Sequence, residues 1–416
     1  MEYLDRLIAL SELELERTRS DAALNGLADM YRSRFVRFRS KFVSDYGSNV
    51  IEGFRQAMEA GGLELITCSA THAFLPYVQT EQAIRAQLEN AVREYIRHFG
   101  KPPRGIWLPE CGYREGLDRL LLEYGFEYFF TDTHAVLHAR PAPDCGVHAP
   151  VMTTHGAQAF GRDPDTSRQV WSSLEGYPGD YDYREYYRDV GFELPYDEIR
   201  PYLHPSGVRH NTGFKYWRIT GREEKERYDV QRAAAKAAAH ADHFVAERIR
   251  QAERLAACGL SRKPLMTASY DAELFGHWWH EGPQWIDALC RKAHAEPDGI
   301  RLLAPPDYLR EYPESSCAEL AFSSWGRGGY GEVWLGEPNA WMYRHLHLME
   351  ERMAELAGRF PEADGLRLRA LNQAVRELLL AQSSDWAFIM DSRTTVEYAV
   401  RRFKRHAVRF ERLYRA

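Results

Sequence analysis

Between residues 63 and 131 the chain alternates short β-rich runs with amphipathic helical stretches, and this alternation restricts it to an α/β fold with parallel strands. The first run, Leu63-Glu-Leu-Ile-Thr-Cys68, follows a Gly-Gly pair. Thr80 is placed to cap the next helix, where Ile84, Leu88, Val92 and Ile96 fall on one face. Gly100 and Pro102-Pro103 stop that helix. A strand over 105–109, a helix over 114–124 and a strand over 127–131 complete the pattern. Upstream, 2–18 reads as helix and 19–62 as further helix broken at Gly26 and Gly47. Residues 132–225 are rich in Pro, Gly, Tyr, His and Asp, with one expected strand over 168–171; so long an irregular stretch suggests a functional insertion. An Ala-rich helix follows over 228–258, then a strand over 265–270, a helix over 282–293 and a strand over 299–303. Beyond a Gly/Trp-rich loop at 323–336, three helices are expected at 338–358, 366–382 and 394–414. The division that results is an α/β domain over 1–315, interrupted by an insertion at about 132–260, and a helical domain over 316–416.

Charge and composition narrow the possible partners. Fifty-four basic residues face 60 acidic ones, a net charge of −6, which argues against a nucleic acid or anionic membrane held by counterion release. No apolar run approaches the length of a membrane span, and the first residues lack the basic start and apolar stretch of a secretory leader. Six cysteines lie far apart without a CxxC pair, which suits reduced thiols and a cytoplasmic location. Aromatic residues reach 13%, and many sit in polar, Gly-rich contexts rather than in apolar runs.

In parallel α/β folds reactive groups gather on the loops after the strands. Here the expected strand ends carry Thr71-His72, Glu110, Asp132 with His134, and Asp271 with Glu273. Two strand-end carboxylates flanked by Trp and Tyr suggest glycoside chemistry, one attacking an anomeric carbon and the other protonating the leaving oxygen. Pyranose C–H faces stack on aromatic rings, which accounts for tryptophans in polar loops. Plainer readings stand beside these. Glu110 and Glu273 also suit helix N-termini, and His72 or His134 also suits a structural role. His277 and His280 lack an obvious third ligand, so no metal site is expected. Trp278 and Trp279 are read as packing between helix and sheet. Tyr177 and Tyr181 belong either to a mobile loop or to an ordinary Pro-Gly turn. Gly328-Gly329 lacks the context of a phosphate cradle, and the basic run 401–405 suits a solvated helix face.

Trp107-Leu-Pro-Glu110-Cys-Gly-Tyr113 and Ser269-Tyr-Asp271-Ala-Glu-Leu-Phe-Gly-His277-Trp-Trp-His280 resemble two signature regions of glycoside hydrolase family 57, in its 1,4-α-glucan branching subgroup. The stretches 67–72, 216–218, 324–334 and 384–386 are similar to that subgroup as well. The resemblance implies an incomplete (β/α)7 barrel with an inserted helical segment and a C-terminal helical domain. It implies a retaining enzyme that cleaves α-1,4 links of an amylose-, glycogen- or starch-like glucan and transfers the chain to a 6-hydroxyl. By motif position Glu110 is the nucleophile, Asp271 the general acid/base and His72 a ligand of the sugar at the cleavage point. Trp217, Trp325 and Trp334 line the glucan groove, and Asp385 and Trp386 come from the helical domain. No metal or organic cofactor is implied.

Two departures from that pattern stand out. The family opens with a strand carrying a His-x-His-x-Pro motif, whereas this chain begins in a helical stretch, so the first barrel strand is expected to be missing. Branching members often place Tyr-Gly on the loop after the third strand, where this chain reads Pro143-Asp-Cys145-Gly146. A Tyr that shields the glycosyl intermediate from water would be absent, which favours hydrolysis. An α-1,4-glucan hydrolase, a 4-α-glucanotransferase and an inactive glucan-binding protein are therefore the alternatives.

Overall fold

Three parallel strands of matching alternation build one side of the sheet. The computed structural model describes all residues except 173, 261, 297 and 298. β1 (Gly105–Trp107) pairs in parallel with β2 (Tyr128–Thr131), and β2 in parallel with β4 (Gln158–Gly161). β3 (Val151–Met152) runs antiparallel to β4 and parallel to β5 (Ser316–Cys317), giving the order β1-β2-β4-β3-β5. Successive side chains on a strand face opposite sides, so register sorts them into two rows. Ile106, Phe129 and Ala159 are in register and buried against Leu88, Leu117 and Leu121. Trp107, Phe130 and Phe160 are in register on the other face, with ring centroids about 6 Å apart. Gly105 admits no side chain, because a Cβ there would meet the Tyr128 ring at 2.3 Å.

The chain forms two compact units, each assembled from separate stretches: 1–63, 164–259 and 268–303 in one, and 64–163, 260–267 and 304–416 in the other. The second holds the sheet, the helix Glu81–Phe99 and the C-terminal helices. Thr80 caps Glu81–Phe99 by accepting from Ala83 N, and Gly100 ends it in the left-handed region. The C-terminal helices Tyr343–Arg359, Gly365–Ala381, Ser384–Ser392 and Val396–Arg415 share a core of Leu346, Leu378, Trp386, Phe403 and Phe410. The first unit has helices and irregular chain but no strand among its described residues. Its helix Val230–Ala257 buries Ala233, Ala237, Ala241, Phe244 and Val245 in one stripe, against a core that includes Tyr31, Phe214, Trp279 and Trp285.

Several expectations are corrected. Residues 168–171 are not a strand but the end of a helix, Pro164–Trp171: proline suits a first helical position, and Thr166, Ser167 and Val170 bury one face. The helix Ala22–Ser44 runs through Gly26, whereas Gly47 does mark a break, with φ 55°. Residues 63–68 contribute one parallel bridge, Thr67 to Ile106, rather than a strand. Residues 265–270 and 299–303 form no strand; Leu265 and Thr267 instead make single backbone hydrogen bonds with His148 and Asp163. β3 and β4, inside the stretch read as irregular, are too short and too close to Gly and Pro to stand out by periodicity. The helix Ser384–Ser392 was not expected.

Candidate active site

Glu110 lies in a single 3₁₀ turn, Pro109–Cys111, directly after β1. Its backbone is left-handed, at φ 63° and ψ 22°, and Cys111 (φ 52°) and His72 (φ 55°) share that uncommon region. Side-chain-bearing residues adopt it only where surrounding bonds hold them, and they cluster at functional sites. The holding bonds are present. Trp325 N donates to Glu110 O at 2.8 Å, and Ser384 N donates to His72 O at 3.0 Å. Tyr113 and Ser323 exchange two backbone hydrogen bonds, and Ala73 pairs with Ser383. Four chain segments far apart in sequence are thereby tied around one carboxylate.

That carboxylate is fixed at both oxygens. Trp325 Nε1 donates to Oε2 at 2.7 Å and Ser384 Oγ donates to Oε1 at 2.8 Å. His72 Nε2 lies 3.6 Å from Oε1. The Glu110 side chain is 13% exposed, so it is shielded without being sealed. Trp325 is itself braced by an edge contact with Trp107 at 5.1 Å and by the Arg162 guanidinium over its ring at 5.4 Å. Arg162 also donates to Asp132 at 3.3 Å.

The Asp132–His134 pair secures the Gly-rich loop carrying Trp325. His134 Nε2 donates to Gly329 O at 2.6 Å, and its Nδ1 lies 3.4 Å from Asp132 Oδ1. The bond to Asp132 raises the His134 imidazole above its ordinary value; burial opposes this and the Gly329 carbonyl adds to it. Burial pushes the Asp132 carboxyl up, but His134, Arg162 and Thr133 N more than offset it, so the group sits below the usual carboxylate range. Gly329 (φ 81°) is required here, since a Cβ would meet the His134 ring at 2.9 Å.

The other residues named from sequence fall in different surroundings. Trp334 is 1% exposed and stacks on Phe74 at 4.9 Å. Trp386 is buried among the C-terminal helices, its Nε1 donating to Leu380 O. Asp385 is exposed and accepts from Ser383 Oγ. Asp271 and Trp217 belong to the other compact unit. Asp271 is half-buried at the start of a 3₁₀ turn, Ala272–Leu274, and Trp217 is half-buried with Nε1 donating to Glu193. Tyr177 is core, stacked on His240 at 4.4 Å, whereas Tyr181 is exposed. Trp279 is buried, but Trp278 is about half exposed and stacks on Tyr186. His280 Nε2 is occupied by the Arg34 guanidinium, so it offers no lone pair to a metal. Among the described residues no group of three or more His, Cys, Asp or Glu is placed to hold one. Sequence reading missed Ser384; its only signal was the Ser-Ser-Asp-Trp string, from which the two larger side chains were chosen instead.

The family model for glycosyl hydrolase family 57 matches residues 6–321. This chain belongs to glycosyl hydrolase family 57. A second model, the C-terminal domain of 1,4-alpha-glucan branching enzymes, matches residues 345–416. Among solved structures, the alpha-amylase AmyC of Thermotoga maritima is 43% identical with a TM-score of 0.91, over 99% of this chain and 79% of that one. The GH57-type branching enzyme of Pyrococcus horikoshii is 32% identical with a TM-score of 0.87, over 99% and 75%. A 1,4-alpha-glucan branching enzyme of Thermococcus kodakarensis is 32% identical over 449 aligned residues. That alignment covers 99% of this chain but 62% of the relative, so the chain spans less than two thirds of that protein's length.

Proposed function

We propose that this chain acts on α-1,4-glucans by a retaining mechanism and transfers the cleaved segment to a 6-hydroxyl, making α-1,6 branches. The observation that carries the proposal is the fixed carboxylate of Glu110, oriented at both oxygens by Trp325 and Ser384 in a family 57 chain. In this reading Glu110 attacks the anomeric carbon while Asp271 donates its proton to the departing 4-oxygen. A glycosyl ester on Glu110 results. Asp271, now a base, takes the proton of the acceptor 6-hydroxyl, whose oxygen displaces Glu110 and restores the original anomeric configuration. Retention requires the two carboxyl groups to approach to about 5–5.5 Å. His72, 3.6 Å from Glu110, is positioned to hydrogen-bond the sugar undergoing attack. Trp217, Trp325 and Asp385 remain the proposed glucan contacts, while Trp334 and Trp386, at 1% and 9% exposure, back that surface rather than touch the glucan. This chemistry uses no metal or organic cofactor.

The same reading takes the sheet as part of an incomplete (β/α)7 barrel within a catalytic domain over 1–315, with the helical domain at 316–416. The spans of the two matching family models, 6–321 and 345–416, support that division. It also takes the protein to be cytoplasmic and part of glycogen-type biosynthesis. Among the described residues no helix is long and apolar enough to cross a membrane.

Hydrolysis is the second reading, and two observations favour it. The 43% identity is to a protein described as an alpha-amylase. Cys145 is buried, at the position where a shielding Tyr is expected in branching members. Incubation with amylose separates the two readings. Branching yields new 1,6 links with few new reducing ends; reducing ends without 1,6 links would reject branching in favour of hydrolysis.

A further inference from the structure

The compact unit that holds Asp271 contains a cleft of about 670 Å³, lined by the helices Glu2–Arg17 and Ala22–Ser44, by residues around 184–215 and by residues 276–287. That volume falls within the range of small-molecule sites. The lining carries four cations, Arg34, Arg37, Arg184 and Lys215, against one carboxylate, Asp287. Asp287 is already paired with Arg291 at 2.9 Å.

Two of these cations, Arg34 and Arg184, are held by hydrogen bonds to uncharged groups. Arg34 donates to His280 Nε2 at 2.6 Å. A guanidinium has no acceptor, so that ring nitrogen is unprotonated and the imidazole is neutral. Burial lowers the Arg34 guanidinium from its ordinary value, and the positive charges of Arg184 and Arg37 add to that. Arg184 is 7% exposed. Its Nη1 donates to Tyr31 Oη and Gly213 O, both at 2.9 Å, while its Nε has no partner. Lys215 is 3% exposed and lies 3.5 Å from Asp189, whose oxygens already accept from Gly191 N, Thr212 N, Thr212 Oγ1 and Gly213 N. Glu281, buried nearby, accepts from Arg184 N through Oε1. The four cations that line the cleft give it a positive field that suits an oxyanion.

We propose that this cleft binds a small phosphate monoester, with Arg34 and Arg184 clamping the phosphate and Asn211, Tyr186 and His277 meeting hydroxyl groups of the body that carries it. Two guanidinium forks suit a tetrahedral oxyanion carrying about −1.5 to −2 charges at neutral pH. The neutral polar side chains beside them suit a sugar-like body. The inference stands on this cleft alone and not on the glucan reaction.

Isothermal titration of the full chain with a hexose phosphate, the unphosphorylated hexose and inorganic phosphate tests it. The expected result is saturable binding of the hexose phosphate, weaker binding of inorganic phosphate and none of the hexose. Arg34→Gln, at a half-buried position, is expected to weaken the hexose phosphate about tenfold or more while the thermal midpoint without ligand is kept. Absence of saturable binding by wild-type protein at millimolar hexose phosphate overturns the proposal. So does an unchanged affinity in folded Arg34→Gln, or equal binding of the plain hexose. Inorganic phosphate binding as tightly as the ester overturns the assignment to an ester.

Discussion

At the scale of single residues, the account turns on how Glu110 is held. A nucleophilic carboxylate must meet the anomeric carbon along one line, so the bonds that fix its rotation matter as much as its charge. Trp325→Phe keeps the ring and removes the N–H that Oε2 accepts. Ser384→Ala removes the hydroxyl at Oε1. Hydrogen bonds to a charged group are worth about 1.5–3 kcal/mol, so each variant is expected to lose about tenfold to a hundredfold in kcat with KM little changed. A rise in KM at constant kcat would mean that these side chains serve binding instead. The strand-end position expected for Glu110 is found directly after β1, whereas His72 follows no strand and only its motif points to it. Ser384 was not legible, because nothing local distinguishes a serine that caps or turns from one that reaches a carboxylate 274 positions away.

At the scale of elements, two tethers join separate segments of the second compact unit. The first is His134, which joins the end of β2 to the loop carrying Trp325. Its imidazole is raised in the folded chain, so the stability it adds is complete below about pH 6.5, the unfolded value, and is lost as pH rises through the raised folded value. Thermal midpoints measured from about pH 6 to about pH 9 are expected to fall more in wild type than in His134→Gln. Equal slopes would show that the imidazole contributes nothing through its charge. The second tether is Glu350, buried on Tyr343–Arg359, whose Oε2 accepts from Gln79 N at 2.9 Å and Thr80 N at 2.8 Å. Removing it strands backbone donors, so Glu350→Ala is expected to cost about 2–3 kcal/mol by urea unfolding. Thr80→Ala, which chiefly loses the cap, should cost about 1 kcal/mol. A Thr80 loss exceeding the Glu350 loss would contradict this ranking. The cap at Thr80 and the stop at Gly100 were readable because they depend on neighbours in sequence. β1 and β2 were readable too, as the expected strands at 105–109 and 127–131, whereas β3, β4 and β5 were not, since pairing partners rather than local pattern decide them.

At the scale of the whole molecule, the reading of helices, sheet and C-terminal helical segment follows from long-period patterning, whereas the two interleaved compact units do not. Segments 1–63, 164–259 and 268–303 assemble through aromatic residues such as Tyr31, Phe214 and Trp285; Tyr31 and Trp285 fall at helical spacing with Leu27, Phe35 and Leu289, but nothing local says which helices meet. Tryptophans in polar loops suggest sugar platforms, yet Trp334 and Trp386 are buried. The carbohydrate assignment accordingly does not depend on them. It depends on Glu110 forming a covalent bond to sugar. Trapping the intermediate with a 5-fluoroglycosyl fluoride and mapping the adduct by peptide mass spectrometry tests this most directly. The account predicts one glycosyl group on the peptide containing Glu110, with none there in Glu110→Gln. An adduct on another carboxylate, or turnover by Glu110→Gln at the wild-type rate, would contradict it.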